Sequence, residues 1–221
     1  MENTVRTKVE EVFVRELALI QDPNIRDFVI KVANHYHSDD FYIRPASKSK
    51  RYHPHVMNEP HGLVYHTKYA VWWACELLRA WDDPKGRSND GLGLAHSDVV
   101  IAATILHDFG KNGLANQSCS NLTACHGVDL ANAIVNDLFD GGRTPIERPY
   151  LLILQGIASH MGVWTLPGDY KPTAVADPEC QFVAHLVATA DYCASRQADV
   201  YFSNLQRNLG GGDANGTERT T

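Results

Sequence analysis

The 221-residue sequence predicts an all-α fold, with about seven or eight helices in a single domain. Three observations lead to this class. Apolar residues recur at spacings of three and four in several long segments. No segment shows convincing alternation at a period of two, and no internal repeat is present. Two segments are preceded by an aspartate followed by a proline, a combination that starts helices.

The elements follow in chain order. Val5 to Ile20 carries helical periodicity. "QDPN" then stops one helix and starts another, with Asp22 as the cap and Pro23 at the first helical position, running to about Tyr36. Residues 38–60, "SDDFYIRPASKSKRYHPHVMNEP", hold three prolines and a basic cluster, Lys48, Lys50 and Arg51. A long irregular segment of this kind inside a compact domain often carries function. "GLVYHTKYAVWWACELLRAW" (62–81) reads as a strong helix, with Trp72 and Trp73 in the core. "DDPKGRSNDGLG" is a loop, and Ser97 is placed to cap the helix that follows. Further helices are expected from about Thr123 through Phe139 and from about Ile146 to Met161. "GVWTLPGDYKPTAVADPE" is a loop. Asp177-Pro178 opens the last helix, centred on "FVAHLVATADYCASR". The tail "GGGDANGTERTT" is glycine-rich and polar and is expected to be disordered, which leaves 1–209 as the folded domain and 210–221 as tail.

Composition narrows the function. Lys and Arg number 20 against 26 Asp and Glu, a formal net charge of −6. That argues against stable, sequence-independent nucleic-acid binding, which needs a basic face. No apolar run approaches the roughly 20 residues of a membrane span, and the charged N-terminus lacks a signal peptide's apolar centre. The five cysteines, Cys75, Cys119, Cys125, Cys180 and Cys193, are odd in number and form no C-x-x-C. Reduced thiols in a cytoplasmic protein are the simplest reading.

The informative feature is histidine within apolar helical context. "IAATILHDFGKNG" (101–113) ends an apolar run in His107 and Asp108. Burying both costs several kcal/mol unless each finds a strong partner. His66 sits in "GLVYHTKYAV", His126 opens "HGVDLANAIV", His160 ends "LLILQGIASH" and Asp191 interrupts "FVAHLVATADYCA". One such histidine means little, since most are satisfied core residues. Five helices that each deliver one or two such groups form a pattern that core packing explains poorly, and buried unpaired carboxylates are rare. Imidazoles and carboxylates together suit a divalent metal, and four histidines with two aspartates can hold two ions. Successive helical residues point about 100° apart, so His107 and Asp108 share a site only where their helix ends. Gly110 is expected to supply that end.

"GLVYHT", "ILHDFGK", "ASHMGVW" and "HLVATADYCASR", in this order, resemble the HD-domain metal-dependent phosphohydrolases over roughly residues 50–200. The resemblance implies the helical HD-domain fold. It implies that His66, His107, Asp108 and Asp191 hold a first metal, that His126 and His160 complete a second site with Asp108 bridging, and that Lys111 contacts substrate phosphate. Asp108 and Lys111 are thus the expected catalytic residues. The implied cofactor is one or two divalent ions (Fe, Mn, Mg, Zn, Ni or Co). The implied reaction is hydrolysis of a phosphomonoester or phosphodiester, with a nucleotide or related phosphorylated metabolite as the small-molecule partner. The "GYP" extension of cyclic-dinucleotide-degrading members is absent. Rival readings are a di-iron oxygenase with the same six ligands, a nucleotide-binding regulator, which the intact ligand set disfavours, and a nuclease, which the negative charge disfavours.

Other residues divide between function and packing. His61 in "NEPHGLVYHT" contacts substrate, orients a ligand or caps the next helix, with neither role preferred. His53 and His55 in "RYHPH" belong to a pocket mouth with Arg51 or, by slight preference, to a solvated basic loop. Arg196, one turn beyond Asp191, reaches phosphate or forms a surface salt bridge. His185 lies on nearly the opposite face of its helix from Asp191 and is expected in the core. Trp164 is expected to plug the loop after His160 rather than stack on a base. His35, His37 and His96 read as structural or surface residues.

Overall fold

Residues 7–36, 39–47, 53–81, 94–111 and 126–196 are described by a computed structural model of the chain. Among the described residues there is no strand. The described residues form nine α-helices: α1 (Lys8–Val12), α2 (Val14–Leu17), α3 (Pro23–Tyr36), α4 (Asp39–Ile43), α5 (Gly62–Trp81), α6 (Leu94–Leu106), α7 (His126–Leu138), α8 (Arg148–Ser159) and α9 (Pro178–Ala194). Short 3-10 turns join some of them. None of these helices is long and apolar enough to cross a membrane. The basic cluster Lys48, Lys50 and Arg51, the loop 82–93, His37, Cys119, Cys125, the predicted start at Thr123 and the tail 210–221 lie outside the described residues.

The count exceeds the expected seven or eight because the first predicted helix is two and because α4 forms within 38–60, the segment expected to be irregular. The chain breaks at Phe13, whose φ of −108° and ψ of 29° are not helical. The Glu10 carboxylate accepts from the Thr7 N–H (2.8 Å) and hydroxyl (2.6 Å), which holds the start of α1. The break leaves the Val12 carbonyl to Lys68 Nζ of α5, which donates to it. Phe13 then lies fully buried between Phe41 and Phe109, 6.3 Å from each ring, while those two stack at 4.1 Å. A tertiary hydrogen bond and an aromatic cluster together outcompete one more turn of regular helix.

The cap predicted at Asp22 is present: its carboxylate accepts from the Asn24 N–H at 2.8 Å. So is the one at Asp177, which accepts from Cys180 N–H at 2.9 Å. Ser97, by contrast, is inside α6 rather than before it. Its neighbour Asp98 is buried and accepts from the backbone N–H groups of Gln21 (3.0 Å) and Asp22 (2.6 Å), tying the start of α3 to α6.

Helices α5, α6, α8 and α9 form the centre. Each of α5 and α8 packs on both α6 and α9, α7 packs on α8, and α3 on α6. Every residue from Asp98 to Gly110 is buried. A second aromatic cluster, Phe28, Phe139 and Tyr150, joins α3 to α8 and to the end of α7. Trp72 departs from expectation. It is 49% exposed on α5, stacked on Tyr69, and only its neighbour Trp73 packs against the core.

Candidate metal centre

The central helices converge on one buried polar cluster. His66 lies in the second turn of α5. His107 and Asp108 lie just past α6, which ends at Leu106 rather than continuing to Gly110. Phe109 N–H donates to Leu106 O and Lys111 N–H to Asp108 O, both at 3.0 Å, so a tight turn ends the helix and needs no left-handed glycine. That turn releases His107 and Asp108 into a shared direction. His126 is the first residue of α7, His160 caps the C-terminus of α8, and Asp191 sits in the last turn of α9.

Two triads result. His66, His107 and Asp191 form one, and Asp108, His126 and His160 the other. Within each, one donor atom per residue lies within 4.8 Å of the others. In the first, His66 Nε2 is 2.9 Å from Asp191 Oδ1 and 3.3 Å from His107 Nε2. In the second, His126 Nε2 is 2.9 Å from both Asp108 Oδ1 and His160 Nε2. Asp108 faces both. Its Oδ2 is 3.6 Å from His66 Nε2 and 3.5 Å from His107 Nε2, while Oδ1 faces the second triad. All six residues predicted as ligands are thereby brought together.

These contacts suit a cation. His107 Nδ1 is 2.6 Å from Thr104 O, and His160 Nδ1 is 2.7 Å from Ile157 O. A carbonyl only accepts, so Nδ1 carries a proton in both rings, and in the neutral imidazole Nε2 then presents a lone pair. Bare imidazole nitrogens and carboxylate oxygens thus converge in a buried space. Donors bound about 2.0–2.5 Å from one ion lie roughly 3–3.5 Å apart, near the spacing seen. The donor set, four imidazoles and two carboxylates, fits a borderline or hard divalent metal. Either triad of buried His and Asp residues could hold a metal ion.

Gly127 allows the second triad to close. A Cβ there would stand 2.3 Å from Ile157 O and 2.6 Å from His160 Nδ1. Only glycine lets the start of α7 meet the end of α8 at that separation.

The electrostatics follow from burial and pairing. Burial opposes ionisation of Asp108, but Lys111, with Nζ 2.8 Å from Oδ2, and the imidazole of His107 outweigh it and hold the carboxyl well below its usual range. Asp191 is likewise depressed, because its bond to His66 outweighs burial. Burial lowers His66, and burial aided by His126 pushes His160 down to about 3. For His107 burial is outweighed by Asp108, and the net shift is upward.

The cluster opens on a cavity of about 650 Å³, with Lys111, His160 and Asp191 in its wall. Three residues fall elsewhere than expected. His53 is buried, its ring 4.9 Å from that of His66; its Nδ1 and that of His66 have no hydrogen-bond partner. It lines the cavity rather than a solvated loop. His185 is exposed and lines the cavity instead of the core. Trp164 is 55% exposed at the rim and plugs nothing. His61 is exposed at the start of α5, donating through Nδ1 to Tyr42 O at 2.6 Å, with its own φ at +67°. His55 is also exposed, and Arg196 lines the cavity with its guanidinium over the Tyr192 ring instead of in a salt bridge to a described residue. Tyr192 escaped the sequence reading, although its spacing of four from Arg196 on one helix end was a usable signal.

In comparisons with family models, with curated proteins and with solved structures, nothing matches the chain, so its site is read from geometry and residue chemistry.

Proposed function

We propose that the chain is a metal-dependent hydrolase of phosphate esters in small phosphorylated metabolites, whose two His/Asp triads, with Asp108 facing both, would hold one or two divalent ions. One observation carries the reading: two buried His/Asp triads share Asp108 beside a lysine, at the wall of an open cavity. The resemblance to HD-domain phosphohydrolases points the same way. A divalent ion bound there would supply an activated water and a Lewis acid for phosphoryl oxygens. The chain's own residues supply the rest. Asp108 offers one oxygen to each triad. Lys111 fixes a positive charge beside them at the cavity wall, where it neutralises a developing phosphoryl anion. The backbone carbonyls of Thr104 and Ile157 hold His107 and His160 in the tautomer that leaves Nε2 free. The described cysteines, Cys75, Cys180 and Cys193, are free thiols and suit a cytoplasmic setting.

The test is metal analysis of freshly purified protein, followed by a screen of phosphomonoesters and phosphodiesters with the metal found. Release of inorganic phosphate or of a cleaved diester is expected. Protein without bound divalent metal, or turnover that requires O₂, overturns the reading in favour of another chemistry.

A further inference from the structure

The cavity has a second feature that the metal chemistry leaves unused. Beyond the triads its wall carries Trp164, Tyr192 and Arg196. Trp164 and Tyr192 are parallel within 9°, with ring centroids 6.2 Å apart. The Arg196 guanidinium lies 3.8 Å from the centre of the Tyr192 ring. Both aromatic residues stay well exposed, 55% and 44%, and exposed Val163 lines the same cavity. A contiguous exposed apolar patch marks a binding surface, and this one is continuous with the cavity that holds Lys111 and Asp191. Flat, parallel rings with a guanidinium against one of them form a stacking platform, which favours another flat π-system over an aliphatic chain. Tyr192 follows the ligand Asp191 directly in α9, so the platform and the metal site are fixed to one rigid element.

We propose that Trp164, Tyr192 and Arg196 form a specificity subsite that takes a flat heteroaromatic ring on the organic part of the phosphate ester, while the phosphoryl group lies at Lys111 and the triads. This rests on the phosphohydrolase reading. The substrate class is then an ester whose alcohol carries a base-like ring, and sugar phosphates without a ring are poor ligands. Trp164 is the residue that decides, because it is the more exposed of the two rings while the guanidinium lies over Tyr192.

The test uses the full chain with its metal and two probes that differ only in the ring, adenosine 5′-monophosphate and ribose 5-phosphate. Binding is measured calorimetrically, and turnover separately. The wild type is expected to bind the ring-bearing probe about 5- to 150-fold more tightly, the range for one stacked base. Trp164→Ala is expected to remove that preference while leaving ribose 5-phosphate affinity unchanged, and Trp164→Phe to keep most of it. Equal binding of the two probes by wild type, binding of neither, or a preference that survives Trp164→Ala overturns the proposal. If the preference holds but neither ester is hydrolysed, the ring subsite stands and the hydrolase reading falls. If esters are hydrolysed without ring preference, the reverse is true.

Discussion

Helix α6 has a buried carboxylate at each end, and the two are satisfied in opposite ways. Asp98, 4% exposed, takes two backbone N–H groups from the segment that enters α3. Its partners are donors, each contact is a complete hydrogen bond, and nothing more is required. Asp108, 1% exposed, has only Lys111 as an unambiguous donor. Its other neighbours are imidazole nitrogens, and in His107 and His160 the Nδ1–H bonded to a carbonyl leaves the neutral ring a lone pair at Nε2. A carboxylate closed by donors is architecture. A carboxylate set among imidazole nitrogens could hold a cation with them. Equal burial therefore does not mean equal role; the polarity of the neighbours decides.

The sharpest test of this contrast is Asp108→Ala. It should abolish turnover and strip bound metal, while the metal-free variant keeps a helical circular-dichroism spectrum because the apolar helices are untouched. Full turnover in that variant would end the distinction. The double change His126→Ala with His160→Ala should halve the metal content measured by mass spectrometry and reduce turnover by orders of magnitude. Unchanged stoichiometry with only a raised KM would mean that the second triad contacts substrate instead. At the other end, Asp98→Ala strands two backbone donors and should cost roughly 2–4 kcal/mol in denaturant unfolding, with metal content unchanged. Loss of metal there would couple two ends that the structure treats as separate.

The smallest expected effect is on pH dependence. Burial lowers His53 to about 3. An unfolded imidazole binds its proton below about pH 6.5, so between these values the unfolded state holds more protons. The contribution of His53 to stability is therefore lost as pH falls from about 6.5 toward 3. Metal-free His53→Gln should show a shallower fall in Tm between pH 6.5 and 5 than metal-free wild type. An identical slope would mean that His53 is solvated in solution.

Much of this molecule is legible one residue at a time. Helix α5 spans 62–81 as its periodicity predicts, and Asp22 and Asp177 cap where their prolines indicate. The six clustered His and Asp residues stand out because polar groups inside apolar helices need a reason, and a shared ion is a common one. The misplacements share one cause. Trp164 and Trp72 look like core residues by type, and His185 by its face, but type and face do not say whether another element arrives to cover them. Phe13 breaks its helix because Lys68, distant in sequence, takes a carbonyl. His53 becomes part of the cavity because α5 presents His66 to it.

By itself, then, the amino-acid sequence determined the all-helical class, the main helices and the identity of the six clustered His and Asp residues, since periodicity, caps and hydropathy are local properties of the chain. Only the tertiary structure decided that these residues divide into two triads around Asp108, that Gly127 lets α7 and α8 close the second, and that Trp164, Tyr192 and Arg196 meet at the cavity rim. Those outcomes depend on distances between residues far apart in the chain, which packing sets and local patterning does not encode.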